Sequence, residues 1–194
     1  MSLNYQIMMK KIYFFALAVV ATMFVACSND TETPMTDTSK LYPAKDATGE
    51  YWGYLNNKGQ FVIQPMFEEA TGFSCGYAQV VLGEELQFID KKGKVQPVMS
   101  LDYASDFYYN YATIVLDGNM GLLNTKFDMS IQPFYYNLGL MGDNGLVSAL
   151  MDDDSKYSYV NAKGETKIAP MYDYADAFND GLAIVALGGK YGAI

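Results

Sequence analysis

Trp52-Gly53-Tyr54-Leu55-Asn56 recurs as Leu86-Gln87-Phe88-Ile89-Asp90, then as Met120-Gly121-Leu122-Leu123-Asn124 and Tyr157-Ser158-Tyr159-Val160-Asn161. A fifth copy opens at Tyr191-Gly192-Ala193-Ile194, and successive copies start 34, 34, 37 and 34 residues apart. A period of this size marks an array of repeated supersecondary units. Other positions keep step with the anchor. Lys58, Lys92, Lys126 and Lys163 stand two residues beyond each Asn or Asp, followed by Gly59, Gly93, Phe127 and Gly164. Pro65, Pro133 and Pro170 come thirteen residues after the anchor, with Pro97 two residues early in the second copy. Ala70, Ala104, Leu138 and Ala175 follow at eighteen, and Phe73, Phe107, Met141 and Phe178 at twenty-one.

Each unit reads as three short strands, so the fold class is all-β. The anchor strand is aromatic and β-branched, which suits a pleated surface. It ends at Asn-Asn-Lys-Gly or Asp-Lys-Lys-Gly, where Gly supplies a left-handed hairpin residue. A second strand, Gln60 to Gln64 in the first unit, is predicted to stop at the Pro, which has no N–H for a ladder. An irregular or one-turn helical connection then leads to a third strand, Tyr77–Leu82 or Leu182–Leu187. The repeats fall at 51–85, 86–119, 120–155 and 156–190, with an incomplete fifth at 191–194; Leu41 to Asp46 are predicted to supply an opening strand. A unit of about 34 residues cannot bury enough apolar surface alone, so neighbours must stack. The expected architecture is an elongated curved array of three-stranded antiparallel units, with a partial propeller-like arrangement as the alternative.

These motifs resemble the WG β-repeat (KWG) family, whose Trp-Gly stands here as Trp52-Gly53. The family pattern Trp-Gly-Tyr-Ile-Asn…Lys-Gly…Ile-x-Pro-x-Tyr-Asp…Phe…Gly-Leu-Ala matches repeats one and four closely. Repeats two and three depart from it, with Leu86 and Met120 for Trp and Phe127 for Gly. The resemblance covers residues 51–194 and implies a scaffold without shared catalytic residues.

The N-terminal end reads as an address. Lys10-Lys11 precede an apolar run from Ile12 to Ala26 that ends at Cys27. A basic start, a short apolar stretch and a small residue before the processing point make a secretory signal, and the run is too short to span a bilayer. Phe24-Val25-Ala26-Cys27 resembles the lipobox of bacterial lipoproteins, which implies acylation at Cys27 and a signal peptide over 1–27. Met9 is the more natural start, leaving 1–8 as a mis-start or added residues. Residues 28–40 are polar and acidic and read as a disordered tether. The expected location is the bacterial outer membrane, facing the periplasm or the surface, with the lipid anchor as the membrane contact. Loss of the leader leaves Cys75 as the remaining thiol, with no intrachain disulfide open to it.

Composition excludes several functions. The chain of 194 residues carries 13 Lys and no Arg against 22 acidic residues, and has no His. It therefore has neither an imidazole base nor a guanidinium clamp. Its net charge of −9, which becomes 11 − 22 = −11 once Lys10 and Lys11 are removed, argues against a nucleic-acid partner. The run Asp152-Asp153-Asp154 is the one weak candidate for a metal, Ca²⁺ by its oxygens, but a solvated turn explains it better. Glu68-Glu69 and Glu84-Glu85 read as turn residues rather than a glycosidase pair. No cofactor is implied, and an envelope hydrolase is the least supported reading.

The 17 Tyr and 11 Phe serve stacking first. A strand sends neighbouring side chains to opposite faces, so some of them must be exposed. Tyr108, Tyr109, Tyr111 and Tyr136 are the candidates for an aromatic binding strip. The expected function is therefore a non-enzymatic envelope lipoprotein that serves as a scaffold for a protein partner, with carbohydrate or peptidoglycan capture on the tyrosines as the alternative.

Overall fold

The computed structural model describes residues 40–194, and among them every regular element is a strand. The leader, Cys27 and the tether up to residue 39 lie outside the described residues. Five antiparallel sheets follow one another. The first contains β1 (Tyr42–Lys45), β2 (Trp52–Leu55) and β3 (Phe61–Phe67); the second, β4 (Glu69–Ala70), β5 (Tyr77–Leu82) and β6 (Glu85–Asp90). In the third are β7 (Tyr103–Ala104), β8 (Tyr111–Leu116), β9 (Asn119–Asn124) and β10 (Met129–Tyr135). The fourth is formed by β11 (Asn137–Leu138), β12 (Leu146–Leu150), β13 (Tyr157–Asn161) and β14 (Thr166–Tyr172). The fifth is β15 (Tyr174–Ala175), β16 (Ile184–Leu187) and β17 (Lys190–Ala193).

The sheet is out of phase with the sequence repeat. A complete sheet takes its first two strands from one repeat and its anchor and second strands from the next. Consequently β1 does open the array, pairing Tyr42 with Leu55 and Lys45 with Trp52. The chain changes sheet at Glu68, Asp102, Tyr136 and Asp173, where one residue separates the two sheets or, at Asp102, precedes the next one. The stretch expected to be irregular or helical thus begins with a two-residue strand of the next sheet.

Pro does not end the second strand. Pro65, Pro133 and Pro170 lie inside β3, β10 and β14. Trp52 pairs with Phe67 while Tyr54 pairs with Ile63, so two residues of β2 face four of β3. The same shift recurs at Met120↔Tyr135 with Leu122↔Ile131, and at Tyr157↔Tyr172 with Tyr159↔Ile168. Pro occupies the bulge, where no ladder N–H is required.

The bulge also explains the Gly of the anchor. A Cβ on Gly53 would stand 2.6 Å from the Ile63 carbonyl oxygen and 2.7 Å from the Pro65 nitrogen. On Gly121 it would stand 2.7 Å from the Ile131 oxygen and 2.9 Å from the Pro133 nitrogen. In the second repeat that place belongs to Gln87, and the expected second strand is missing: Val95 makes a single bridge to Ile89. Ser158 fills the place in the fourth sheet, with its hydroxyl donating to the Ala149 carbonyl at 3.2 Å.

Cores lie between successive sheets. Tyr54, Ile63 and Phe67 of the first sheet meet Ala78, Val80 and Ile89 of the second. Phe88 then meets Ala112, Ile114 and Leu123 around Phe107. Leu122, Ile131 and Tyr135 meet Val147, Ala149 and Val160, and Tyr159 meets Phe178 and Val185. Phe88 and Ile89 face opposite ways, as do Leu122 and Leu123, and Tyr159 and Val160. This is the alternation of a strand buried on both faces.

Hydroxyls pin one sheet to the next. Tyr54 donates to the Thr71 carbonyl and Tyr159 to the Asp176 carbonyl, each at 2.8 Å. Thr113 reaches the equivalent carbonyl of Gly139. Burial pushes the Tyr54 hydroxyl well above its usual pKa, and that of Tyr159 up to about 12, so both keep the proton they donate.

Cys75 is disulfide-bonded, against the expectation of a lone thiol.

Candidate binding surfaces

Two kinds of turn occupy one end of the strands. At each Asn-x-Lys-Gly turn the side-chain oxygen of Asn56, Asp90, Asn124 or Asn161 accepts two backbone N–H bonds. Asn161 Oδ1, for example, takes those of Lys163 and Glu165, both at 3.0 Å. This Asx geometry explains why the anchor ends in Asn or Asp. Phe127 takes the left-handed position with φ 65°, at a cost of about 1–2 kcal/mol for a residue with a Cβ. Its ring compensates by packing on Tyr77 and Phe88, with centroids 4.9 and 5.6 Å away.

The second kind is a two-residue turn leading into β5, β8 or the segment before β16. Tyr109 and Asn110 take φ 48° and 70° there, while Tyr108 and Tyr111 exchange backbone bonds of 2.7 and 2.9 Å. A bulky residue at positive φ is uncommon and stores strain.

Of the four tyrosines singled out in the sequence, Tyr108, Tyr109 and Tyr111 pack against the core between the third and fourth sheets, and Tyr136 lies apart from them. Tyr108 is partly buried, and burial followed by the nearby Asp106 charge raises its pKa. Tyr109 is raised by burial, then by the charges of Asp143 and Asp180. Tyr111 lines an open cleft of about 380 Å³ between the third and fourth sheets, with Ser130, Gly145, Asn161, Ala162 and Lys163. Tyr136 is 53 % exposed and lies at the other end of the strands, its N–H bonded to the Met151 carbonyl beyond β12.

That other end is built on corner carboxylates. Glu68 accepts the N–H groups of Gly83 and Glu84, Asp102 that of Asp117, and Asp173 that of Gly188. Each acid at a sheet corner thereby closes the adjacent hairpin. Tyr136 holds the corner position in the third repeat, and a hydrogen bond from its hydroxyl to Asp153 raises its pKa. The Asp152-Asp153-Asp154 run is a hairpin loop. Asp152 accepts the Asp154 N–H, and its own N–H and carbonyl both bond the Ser155 hydroxyl. Among the described residues no group of three or more carboxylate, Cys or His side chains is placed to hold a metal ion.

An aromatic row that sequence reasoning did not select runs through Tyr157, Tyr174 and Tyr191 at the same end of the strands as Tyr136. The Tyr157 and Tyr174 rings lie 6.4 Å apart at 61°, and those of Tyr174 and Tyr191 6.2 Å apart at 58°. Tyr157 and Tyr191 hold the Trp52 position of their repeats, and Tyr174 opens the short corner strand. The signal lies in the repeat register rather than in local clustering of Tyr.

Asp106 stands between the second and third sheets. It accepts bonds from Thr71 Oγ1 and Gln79 Nε2, each at 3.2 Å. Burial raises its pKa against those two bonds, and its charge helps to push Tyr103 up to about 12. An acid raised in the folded state stabilises the fold fully below its unfolded value, near 3.8, and loses that contribution as pH rises through the folded value. Asp106→Asn should therefore match the parent at pH 4 and be the more stable protein at pH 7. Urea midpoints at the two pH values check this; an Asn variant weaker at pH 7 would show that the charge is needed.

Matched against known families, residues 52–85 and 157–191 each fit the model of the WG containing repeat. The chain carries the WG containing repeat at two places. The two matched stretches are repeats one and four, whose Gly or Ser sits under a proline bulge. The second and third units lie between them and keep the Asx turn after the anchor. No curated protein matches the chain.

Proposed function

We propose that this protein is a non-enzymatic scaffold of the bacterial outer membrane. It takes a protein partner on the row Tyr157–Tyr174–Tyr191, with Tyr136 at the same end of the strands. The row carries the reading. Tyrosine offers rigid apolar area with a polar tip at low entropic cost, which suits protein contacts. Rings tilted by about 60° to one another do not offer the flat platform on which successive sugar faces stack. Cross-linking in the native envelope, comparing the parent chain with Tyr174→Ala/Tyr136→Ala, tests it. A specific adduct lost in the folded double variant supports the row, and an adduct that persists unchanged assigns the contact elsewhere.

The cleft at Tyr111 favours a second reading, capture of a glycan. It places one aromatic ring beside the polar groups of Ser130, Asn161 and Lys163, the mixture a single sugar requires. A peptidoglycan-fragment titration that saturates with the parent and fails with Tyr111→Ala would move the function to this end.

The anchor has its own test. Cys27 is the only cysteine besides Cys75, so a thioether lipid on its sulfur and a disulfide of Cys75 within one chain are alternatives, and the lipid expected from the sequence is decided against the disulfide by experiment. Palmitate labelling that disappears in Cys27→Ala supports the anchor. A mature chain with an intrachain disulfide and no lipid overturns it.

A further inference from the structure

Between the second and third sheets, the ring of Phe127 in the Asx turn packs on Tyr77, with centroids 4.9 Å apart at 87°. The repeat register carries this pair forward to Gly164 and Tyr111, between the third and fourth sheets. Glycine has no ring to place there, and a Cβ on Gly164 would meet nothing within 4 Å. Between the first and second sheets the same turn position is Gly93. A Cβ there would stand 3.3 Å from Ile63 Cγ2, so that space is already taken. Of these three places only the one at Gly164 is left open, and beside it lies the cleft lined by Tyr111, Ser130 and Lys163. Its walls are the third and fourth sheets, each flanked on both sides by another described sheet.

Three residues lining the cleft carry polar groups that the protein does not use. Among the described residues the Tyr111 and Ser130 hydroxyls make no hydrogen bond, and the Lys163 ammonium makes no ion pair. Glu165, two residues on, is bonded instead to Lys167 Nζ at 2.9 Å and to Asn161 Nδ2 at 2.8 Å. Asn161 is spent on its own turn, where Oδ1 accepts the N–H groups of Lys163 and Glu165. The cleft therefore offers one aromatic ring, two hydroxyls and one cation.

We infer, on the footing of glycan capture at this cleft, that its ligand is a sugar residue bearing a single carboxylate. The pyranose lies on Tyr111, its hydroxyls meet those of Ser130 and Tyr111, and the carboxylate meets Lys163. Tyrosine supplies the apolar area with a polar tip that a sugar face needs. Lysine is a compact point charge, which one carboxylate balances. A phosphate carries more charge and is held best by the paired donors of Arg, and this chain of net charge −9 has none. A uronate and N-acetylmuramic acid share the required chemistry, a carboxylate beside a pyranose ring.

Amide NMR titrations of the full chain with glucuronate, N-acetylmuramic acid and glucose test this. At least one acidic sugar should saturate and bind about five-fold more tightly than glucose, the gain expected of one exposed ion pair. Whichever acid binds more tightly names the source, a uronate polymer or peptidoglycan. The shifts should centre on Tyr111, Gly145 and Lys163. Lys163→Gln, at an exposed side chain, should bring the acidic sugars down to the affinity of glucose. Gly164→Phe should put on Tyr111 the ring that Phe127 puts on Tyr77, and so abolish binding of all three. Phe127 at φ 65° shows that this turn accepts a Phe, and circular dichroism checks that both variants fold. Should Gly164→Phe not fold, Lys163→Gln decides alone. Equal affinity for glucose and both acids overturns the inference and leaves glycan capture standing. An acid preference that survives Lys163→Gln, or binding that survives in a folded Gly164→Phe, also overturns it. A parent that binds none of the three overturns glycan capture as well and leaves the tyrosine row.

Discussion

Gly121→Ala should destabilise the protein by about 1–3 kcal/mol, the cost of forcing atoms into a packed interior, and Gly53→Ala should do the same. The added Cβ meets backbone rather than a flexible side-chain tip. At Gly121 it would lie 2.7 Å from the Ile131 carbonyl oxygen, 2.9 Å from the Pro133 nitrogen and 3.1 Å from the Pro133 Cα. Relief requires the proline bulge to lift away from β9, which breaks the register of β10 and withdraws Ile131 and Tyr135 from the core shared with the fourth sheet. Gly192 supplies the control. It occupies the same repeat position with nothing within 4 Å of a Cβ, so Gly192→Ala should stay within about 0.5 kcal/mol of the parent, as open surface sites do. Urea unfolding of the three variants measures this. Equal midpoints for Gly121→Ala and Gly192→Ala would show that the bulge does not explain the glycine.

Why part of this fold was legible follows from the same contacts. The anchor, the Asn-x-Lys-Gly turn and the third strand are local, and each residue type has a local reason visible in one repeat. The bulge at Pro65 is not local. Pro lacks an N–H in any setting, and whether it ends a strand or sits in a bulge depends on what faces it, here a glycine nine or more residues earlier. The phase of the sheets was hidden as well, since a sequence repeat can be cut anywhere while hydrogen bonds fix one cut, at Glu68, Asp102, Tyr136 and Asp173. The candidate surfaces suffered from the same limit. Clustering in sequence selected Tyr108, Tyr109 and Tyr111, and the structure keeps them together, but packed against the core between the third and fourth sheets, which covers part of each ring. Tyr157, Tyr174 and Tyr191 lie 17 residues apart and meet because a corner strand of one sheet neighbours the anchor strands of two repeats.

Phe107→Ala should cost about 3–5 kcal/mol, the range for truncating a fully buried aromatic, and should change the form of unfolding as well as its midpoint. Phe107 is 1 % exposed and lies between two sheets, with the Tyr77, Phe88 and Phe127 rings 5.7, 5.2 and 5.9 Å away. Its carbonyl accepts the Ser74 hydroxyl across the same interface. Phe127 touches the Tyr77 and Phe88 rings as well, so the second and third sheets are joined through this one aromatic cluster with Phe107 fully buried in it. In a stack, each sheet is stabilised by its neighbours, so total stability behaves as a sum of unit and interface contributions. Weakening one interface by several kcal/mol lets the array open there instead of unfolding as one. The first two sheets, which hold the core around Tyr54, should separate from the third to fifth, which hold two further cores. The parent should show one urea transition by fluorescence of its single Trp, Trp52, and by circular dichroism. In Phe107→Ala the Trp52 signal, which reports the first sheet, should change at lower urea than the circular dichroism does. Amide exchange should show protection lost first in β1–β6 and kept longest in β12 and β13. Coincident transitions in the variant would mean that the five sheets are coupled more widely than through faces in contact.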